Sequence, residues 1–461
     1  MAAKRPVTKP AAPAPTPAPA PAPGSVMLPA LHETTTSSGL QVLAAQRGPL
    51  PLVAARLVLR VGSAMDPADK HGLADFTARL MRRGTARLSA DELDEAIEFV
   101  GASFAVGSNE DSLSFYVTSP AEHFPAMLGL LGEMVREPSF PEREVELARE
   151  RTLASFANDL DDPSSIADRA FTRALWGKHP YGHDVSGSAA HVRTFTREDL
   201  VRFHRERLGP KVALLSVVGA VAPDVVAEAA QKAFGGWTGG PEKPEPVPAA
   251  GKMASGRILL VDKPDQTQTQ VRLGGPGFRM GHADYFPSAA MNNVLGGGFT
   301  SRLVNEVRVE RGLTYGISSY FEMLDVGGVF AISTFTQTER TREMLDVSLA
   351  EVGKVRESGI TAAELKKAQR YMAGLYPLRT ETNESVASVI ADIRVHALGD
   401  DWVQKFRERL FAVKPRQTQE MAAKYLFPQA PLIVLLGKAS VVKKQLKGLG
   451  SVSVVPASDY E

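Results

Sequence analysis

The chain has 461 residues, 44% of them apolar and 23% charged, a make-up that suits a globular protein of two domains of roughly 200 residues each. Lys and Arg number 53 against 52 acidic residues, so no overall basic field exists to attract a nucleic acid or an anionic surface. No apolar run reaches the roughly 18–20 residues of a spanning helix, and the absence of cysteine excludes disulfides, thiolate catalysis and cysteine-held zinc.

Residues 1–27 are mostly Ala and Pro, a composition that cannot bury apolar surface and reads as an extended, disordered tail. Such a tether suits a bacterial periplasm or cell envelope, with the cytoplasm as the alternative. From there the pattern becomes regular. Strands are expected over 40–47 and 52–61, then a loop over 62–69 and a helix carrying Asp75. Ser89-Ala90-Asp91-Glu92 opens a helix to about Val100 with a capping box. Strands over 102–107 and 111–118 follow, then helices over 121–136, 142–159, 163–176 and 197–208, a strand over 212–219 and a helix over 223–234. A Gly/Pro-rich linker over 235–256 separates residues 28–234 from residues 257–461.

The second half repeats the order: strands over 257–262 and 269–274, helices over 283–295 and 301–310, strands over 313–323 and 328–337, further helices and a late strand over 431–437. Val135-Arg136-Glu137 overlays Val355-Arg356-Glu357, Glu144 overlays Glu364, and Ala148 overlays Ala368. A duplicated unit is therefore expected. Its class is α+β, with two lobes facing each other as a clamshell, each a mixed, mostly antiparallel sheet with helices on one face.

The segment Gly72 to Met81, followed by Arg82-Arg83-Gly84-Thr85, resembles the zinc helix of the pitrilysin/insulinase metallopeptidases with its chemistry removed. That family writes His-x-x-Glu-His where this chain has Asp75, Ala78 and Arg79. Two histidines four apart share a helical face and hold Zn²⁺, and the Glu between them takes a proton from the bound water. Ala78 cannot act as a base, and Arg79 sets a fixed positive charge where a dication belongs. The family's third ligand, a Glu on the long helix, corresponds by counting to Ala157, while Glu150 matches a retained helper position. All three ligands and the base have changed, so the resemblance implies a chain with no metal of its own. The plain account of Asp75 and Arg79 is an exposed ion pair one turn apart, worth about 0.2–0.5 kcal/mol. A changed metal site of His71, Asp75 and an acid from the long helix is the alternative, and Arg79 opposes it.

The resemblance extends over about residues 30–455. It includes Phe140-Pro141-Glu142, His179-Pro180-Tyr181-Gly182, Leu295-Gly296-Gly297-Gly298 with Ser301-Arg302-Leu303, and above all Val307-Arg308-Val309-Glu310-Arg311-Gly312-Leu313-Thr314-Tyr315. It is broadest with the short bacterial members and the mitochondrial processing peptidase subunits. In that family an Arg and a Tyr seven apart bind substrate and stabilise the developing oxyanion at the opposite lobe's metal. Arg308 and Tyr315 match them. The resemblance thus implies a noncatalytic subunit that lends Arg308 and Tyr315 to a homologous zinc-bearing partner acting on peptides, with Gly296, Gly297 and Gly298 in a substrate-contacting loop. Zinc is expected in the partner and no cofactor in this chain. The alternative is a non-proteolytic structural or peptide-binding protein built on the same fold.

Other constellations weaken on inspection. No Lys-Ser/Thr follows Gly296-Gly297-Gly298, which excludes a phosphate loop. Pro180 and Gly182 between His179 and His183 break the helix that a shared ligand face requires. Ser186-Gly187-Ser188 lacks the framing of a nucleophile elbow. His282 and His396 are isolated.

Overall fold

The computed structural model describes residues 27–460, so the expected Ala/Pro tail lies outside the described residues apart from Met27. Twelve strands form two six-stranded sheets. The first holds β1 (His32–Thr35), β2 (Gln41–Gln46), β3 (Leu52–Leu59), β4 (Ser103–Ser108), β5 (Leu113–Pro120) and β6 (Ala213–Gly219), in the order β1-β2-β6-β3-β5-β4. The second holds β7 (Ile258–Asp262), β8 (Gln268–Pro276), β9 (Ile317–Met323), β10 (Gly328–Gln337), β11 (Leu432–Gly437) and β12 (Val452–Pro456), in the order β12-β7-β11-β8-β10-β9.

The duplication is visible strand by strand. β2 runs parallel to β6, and β6, β3, β5 and β4 continue antiparallel; β7 runs parallel to β11, and β11, β8, β10 and β9 continue antiparallel. Only the outer strands differ, since β1 adds antiparallel and β12 parallel. The Glu144/Glu364 overlay has a structural counterpart too. Glu144 accepts from Arg83 at 2.9 Å, and Glu364 accepts from Arg302 at 2.8 and 2.7 Å, each pair tying a long helix to the segment packed beside it.

Both faces of each sheet are covered, and the second cover is exchanged between the halves. On β6, Ala213, Leu215 and Val217 enter the first lobe's own core, while Leu214 and Val218 point the other way. Those outward residues meet Val386, Ala387, Ile390 and Ala391, at i/i+4 spacing on the Asn383–Val395 helix of the second half. Reciprocally, Ile166, Ala167, Ala170 and Phe171 of the Pro163–Trp176 helix cover Leu432, Val434 and Leu436 on β11. Burial on two faces explains why β6 and β11 read as continuous apolar runs, Ala-Leu-Leu-Ser-Val-Val-Gly and Leu-Ile-Val-Leu-Leu-Gly.

Polar contacts fix the register of the exchange. Arg56 pairs with Asp392 at 2.8 Å, and Arg47 donates to the Thr380 carbonyl at 2.9 Å. Arg272, only 2% exposed, reaches Asp168 at 2.5 Å and the Ser164 hydroxyl at 2.7 Å. Removing Asp168 would leave a buried, uncompensated guanidinium, the expensive way to break such a pair.

Several boundaries differ from the sequence reading. The 283–295 helix is α-helical only over Tyr285–Asn292 and widens to π geometry over Asn293–Gly297. Val304–Glu310 is also π-helical; the first stretch ends on Gly296 and Gly297, and Gly298 opens the turn that leads to the second. β1 and β12 were not expected; β1 is exposed throughout and joins by its backbone, while β12 adds Val452 and Val455, partly buried against the second lobe's cores.

Candidate functional site in two separate halves

The first-lobe helix Leu73–Met81 begins at Gly72, whose φ of 95° lies in the left-handed region. A Cβ there would sit 2.3 Å from the Ser186 carbonyl oxygen, so only glycine fits beneath that loop. Asp66 caps the helix start, accepting from the Gly72 and Ala74 amides at 2.6 and 2.8 Å. Burial pushes the Asp66 carboxyl up to about 8, against the pull of those two bonds.

Asp75 and Arg79 do form an ion pair, at 2.5 Å, in an orientation outside hydrogen-bond geometry. The pair is half-buried rather than exposed: the Asp75 side chain is 10% accessible and that of Arg79 is 44%. Asp75 also accepts from Ser108 at the end of β4, and Ala78 is fully buried in the core. A carboxylate already held by Ser108 and Arg79, a methyl group and a guanidinium do not fit a zinc ion.

Beside this helix lies a cavity of about 410 Å³, closed on its far side by the Glu142–Asp159 helix. Ala148, Arg151, Thr152, Ser155 and Phe156 form that wall. Ala157 is exposed and lies off the wall, as does Glu150. Of Ser155 and Ala157, Ser155 is the one that faces the cavity, while Ala157, the position reached by counting, points to solvent. Two residues turn a helix by about 200°, so an error of two in counting along the chain places a side chain on the opposite face.

The alternative ligand His71 is engaged elsewhere. It stacks on His183 at 3.9 Å with the rings 8° from parallel, and His191 lies 4.7 Å away. Burial and the two neighbouring rings lower the His71 imidazole to about 4. His179 contacts the Pro248 carbonyl at 2.9 Å, far from a shared ligand face with His183. Among the described residues no group of three or more His, Cys, Asp or Glu is arranged to hold a metal.

In the second lobe, Arg308 lies between two rings, its guanidinium carbon 5.1 Å from the centroids of both Phe299 and Tyr315. Tyr315 is 80% exposed and Phe299 74%, so Tyr315 is no core aromatic. The stack holds the guanidinium by cation–π attraction, worth about 0.5–1 kcal/mol per ring at an exposed site. Among the described residues neither the Arg308 side chain nor the Tyr315 hydroxyl has a hydrogen-bond or ion-pair partner, which leaves their donors for a ligand. Phe299 is a member of this group that sequence reasoning missed; its place directly after Gly298 was the available signal.

The glycine run divides in function. Gly296 is buried, and a Cβ there would lie 2.4 Å from the Ser319 hydroxyl, so it serves close packing. Gly297 opens on a second cavity of about 360 Å³ lined by Tyr285, Asn293, Tyr320, Tyr371 and Tyr376. That cavity lies between the Tyr285–Asn292 and Ala362–Leu375 helices, the counterparts of the pair around the first-lobe cavity. Within the chain, Arg308 and Tyr315 line neither cavity and touch neither Asp75 nor Arg79.

A duplicated two-lobe fold with Asp75, Ala78 and Arg79 on its first-lobe helix and an exposed Arg308/Tyr315 pair defines a peptidase-type chain. Residues 41–188 match the family described as insulinase (peptidase family M16), and residues 194–372 match that described as peptidase M16 inactive domain. The chain belongs to the pitrilysin/insulinase (M16) family. It is 28% identical to an uncharacterized zinc protease of Mycobacterium tuberculosis over 358 residues, covering 77% of this chain and 82% of that protein. With an uncharacterized zinc protease of Bacillus subtilis it shares 23% identity over 359 residues, covering 77% and 85%. The structure of a peptidase M16 inactive domain from Pseudomonas fluorescens aligns with a TM-score of 0.84 at 25% identity, covering 88% of this chain and 98% of that one. A protease from Helicobacter pylori aligns at 0.80 and 22%, covering 89% and 100%, a likeness of fold.

Proposed function

We propose that this chain is the non-zinc subunit of a heterodimeric metalloendopeptidase, supplying Arg308 and Tyr315 to the active site of a homologous partner that carries the intact zinc helix. The observation that carries the reading is the Phe299–Arg308–Tyr315 stack: a guanidinium held in place, with a phenol beside it, both exposed and both without partners in their own chain. Preorganised donors of this kind suit a peptide carbonyl oxygen that acquires charge. They have no counterpart to act on in this chain, because the Asp75 and Arg79 positions cannot hold zinc. Gly297 and Gly298 provide accessible backbone beside the stack for an extended peptide. The same reading places the pair in a bacterial periplasm or envelope.

The test is the assembled complex with Arg308→Ala or Tyr315→Phe. Each substitution is expected to lower turnover about 10²–10³-fold with assembly intact. Unchanged turnover in an intact complex would sink the proposal and favour the non-proteolytic, peptide-binding alternative.

A further inference from the structure

The second-lobe cavity of about 360 Å³ is built largely from rings and carries a single charge. Phe278, Phe321, Met372, Leu375 and Phe406 supply apolar lining, Arg379 is the one charged residue of the wall, and no Asp or Glu lines it. Among the described residues Arg379 makes no hydrogen bond or ion pair, and Glu381, the nearest acid along the chain, does not pair with it. Its guanidinium therefore stands uncompensated beside an aromatic surface.

Two phenols share the wall with that charge. Tyr376 is only 6% exposed, and its ring stacks on Phe406 at 3.6 Å, 5° from parallel. Tyr285 packs edge-on against Phe286 at 5.1 Å and tilts against Trp402 at 5.4 Å. A buried tyrosine ordinarily finds a partner for its hydroxyl. Here neither hydroxyl has one among the described residues, and neither is sealed by its neighbours, which leaves both to the cavity that the two residues line. Burial raises both phenols, Tyr376 to about 12, and the Arg379 guanidinium pulls each of them back. The charge thus acts on both hydroxyls, and both are neutral donors at pH 7. The π-helical Asn293–Gly297 stretch shapes the same wall and turns Asn293, whose side-chain amide is also without a partner, towards it.

We propose that this cavity is a binding site for a small aromatic carboxylate, its anion held by Arg379 with the Tyr285 and Tyr376 hydroxyls and its ring by the aromatic wall. A planar guanidinium meets a carboxylate through two parallel N–H···O bonds, and the phenols add donors to the same oxygens. One uncompensated positive charge in a wall without acids matches a monoanion, whereas a dianion would keep one of its charges unpaired in an apolar setting. Flat aromatic faces around the charge select a ring as the body of the ligand. The volume lies at the low end of the roughly 300–1,000 Å³ of small-molecule sites, so a single-ring acid fills it. The site stands apart from the proposed subunit role, because Arg308 and Tyr315 do not line it.

The test is isothermal titration calorimetry of the full chain with phenylacetate, phenylacetamide and acetate. Phenylacetate is expected to bind one to one, about tenfold or more tightly than phenylacetamide, which lacks the charge, and than acetate, which lacks the ring. Arg379→Gln, at an exposed position without an ion pair, is expected to bring phenylacetate to the level of the amide with the melting temperature unchanged. Tyr376→Phe is expected to weaken phenylacetate several-fold and leave phenylacetamide nearly unaffected, a split that a general loosening of the ring stack would not produce. Arg308→Ala is expected to leave all three affinities as they are. No binding of phenylacetate, equal binding of acid and amide, acetate binding as tightly as phenylacetate, an unchanged preference in Arg379→Gln, or loss of binding in Arg308→Ala would overturn the proposal.

Discussion

Ile390→Ala probes the exchanged helices most sharply, because Ile390 belongs to the second half of the sequence yet is 2% exposed against the first sheet, among Leu43, Val58, Leu214 and Val218. The substitution removes three carbons from a packed site. Transfer accounts for about 2.4 kcal/mol at about 0.8 per methylene, and the residual cavity raises the total to about 3–4 kcal/mol. Denaturant unfolding followed by tryptophan fluorescence and far-UV circular dichroism measures it. If each half covers the other's sheet, the loss appears in one cooperative transition seen equally by both probes. Phe99→Ala, at an 88% exposed position, serves as the control and should shift stability by less than about 0.5 kcal/mol. A cost below about 1 kcal/mol for Ile390→Ala, or two separate transitions with only one displaced, would refute the reciprocal packing.

Other consequences concern the site positions. Rebuilding the metal centre as Asp75→His, Ala78→Glu, Arg79→His with Ser155→Glu should give stoichiometric zinc by elemental analysis, whereas the same triple with Ala157→Glu should not, since only position 155 faces the helix. The Arg302 guanidinium holds the Glu364 carboxyl down at about 2 from 4.5. A lowered carboxylate pKa stabilises above its unfolded value, so this contribution is complete above pH 4.5 and is lost as pH falls towards 2. The full shift corresponds to about 3 kcal/mol, and solvent screening of this partly exposed pair reduces it to about 1 kcal/mol. In Arg302→Ala, urea titrations should show that increment missing at pH 7 and the difference from the parent narrowing towards pH 2. Gly72→Ala forces a Cβ to 2.3 Å from the Ser186 carbonyl oxygen at a left-handed φ, and should cost about 1–3 kcal/mol in the same assay.

Much of the fold was legible because local signals and burial agree. Ser89 with Glu92 forms the reciprocal cap expected at its helix start, and the Ala/Leu/Val run of β6 marks a strand buried on two faces. The sequence does not say which sheet a helix covers. The apolar stripe of Asn383–Val395 is equally consistent with either lobe, so the exchange appears only in three dimensions. β1 was missed because His32-Glu33-Thr34-Thr35 is exposed throughout and joins by backbone hydrogen bonds to β2.

The candidate site shows the same division. The chemistry of the zinc-helix positions is legible from residue type alone, since Ala78 has no basic group and Arg79 carries a fixed positive charge. Which residues of the long helix face the cavity could not be read, because that depends on helix phase; Ser155 lines the wall and Ala157 is exposed. The His71, His183 and His191 cluster joins residues more than a hundred positions apart and leaves no local trace. Arg308 and Tyr315 were singled out through their motif, whereas the Phe299 ring that completes the stack sits in the turn between the two π-helical segments, and its contact with Arg308 appears only in three dimensions.

The most direct test of the divided peptidase is mild isolation of the chain from its native source, with mass spectrometry of what co-purifies and metal analysis of the complex. The account predicts a stoichiometric, similar-sized chain with intact His-x-x-Glu-His and one zinc per pair. Recovery of this chain alone, or with unrelated proteins, would contradict it.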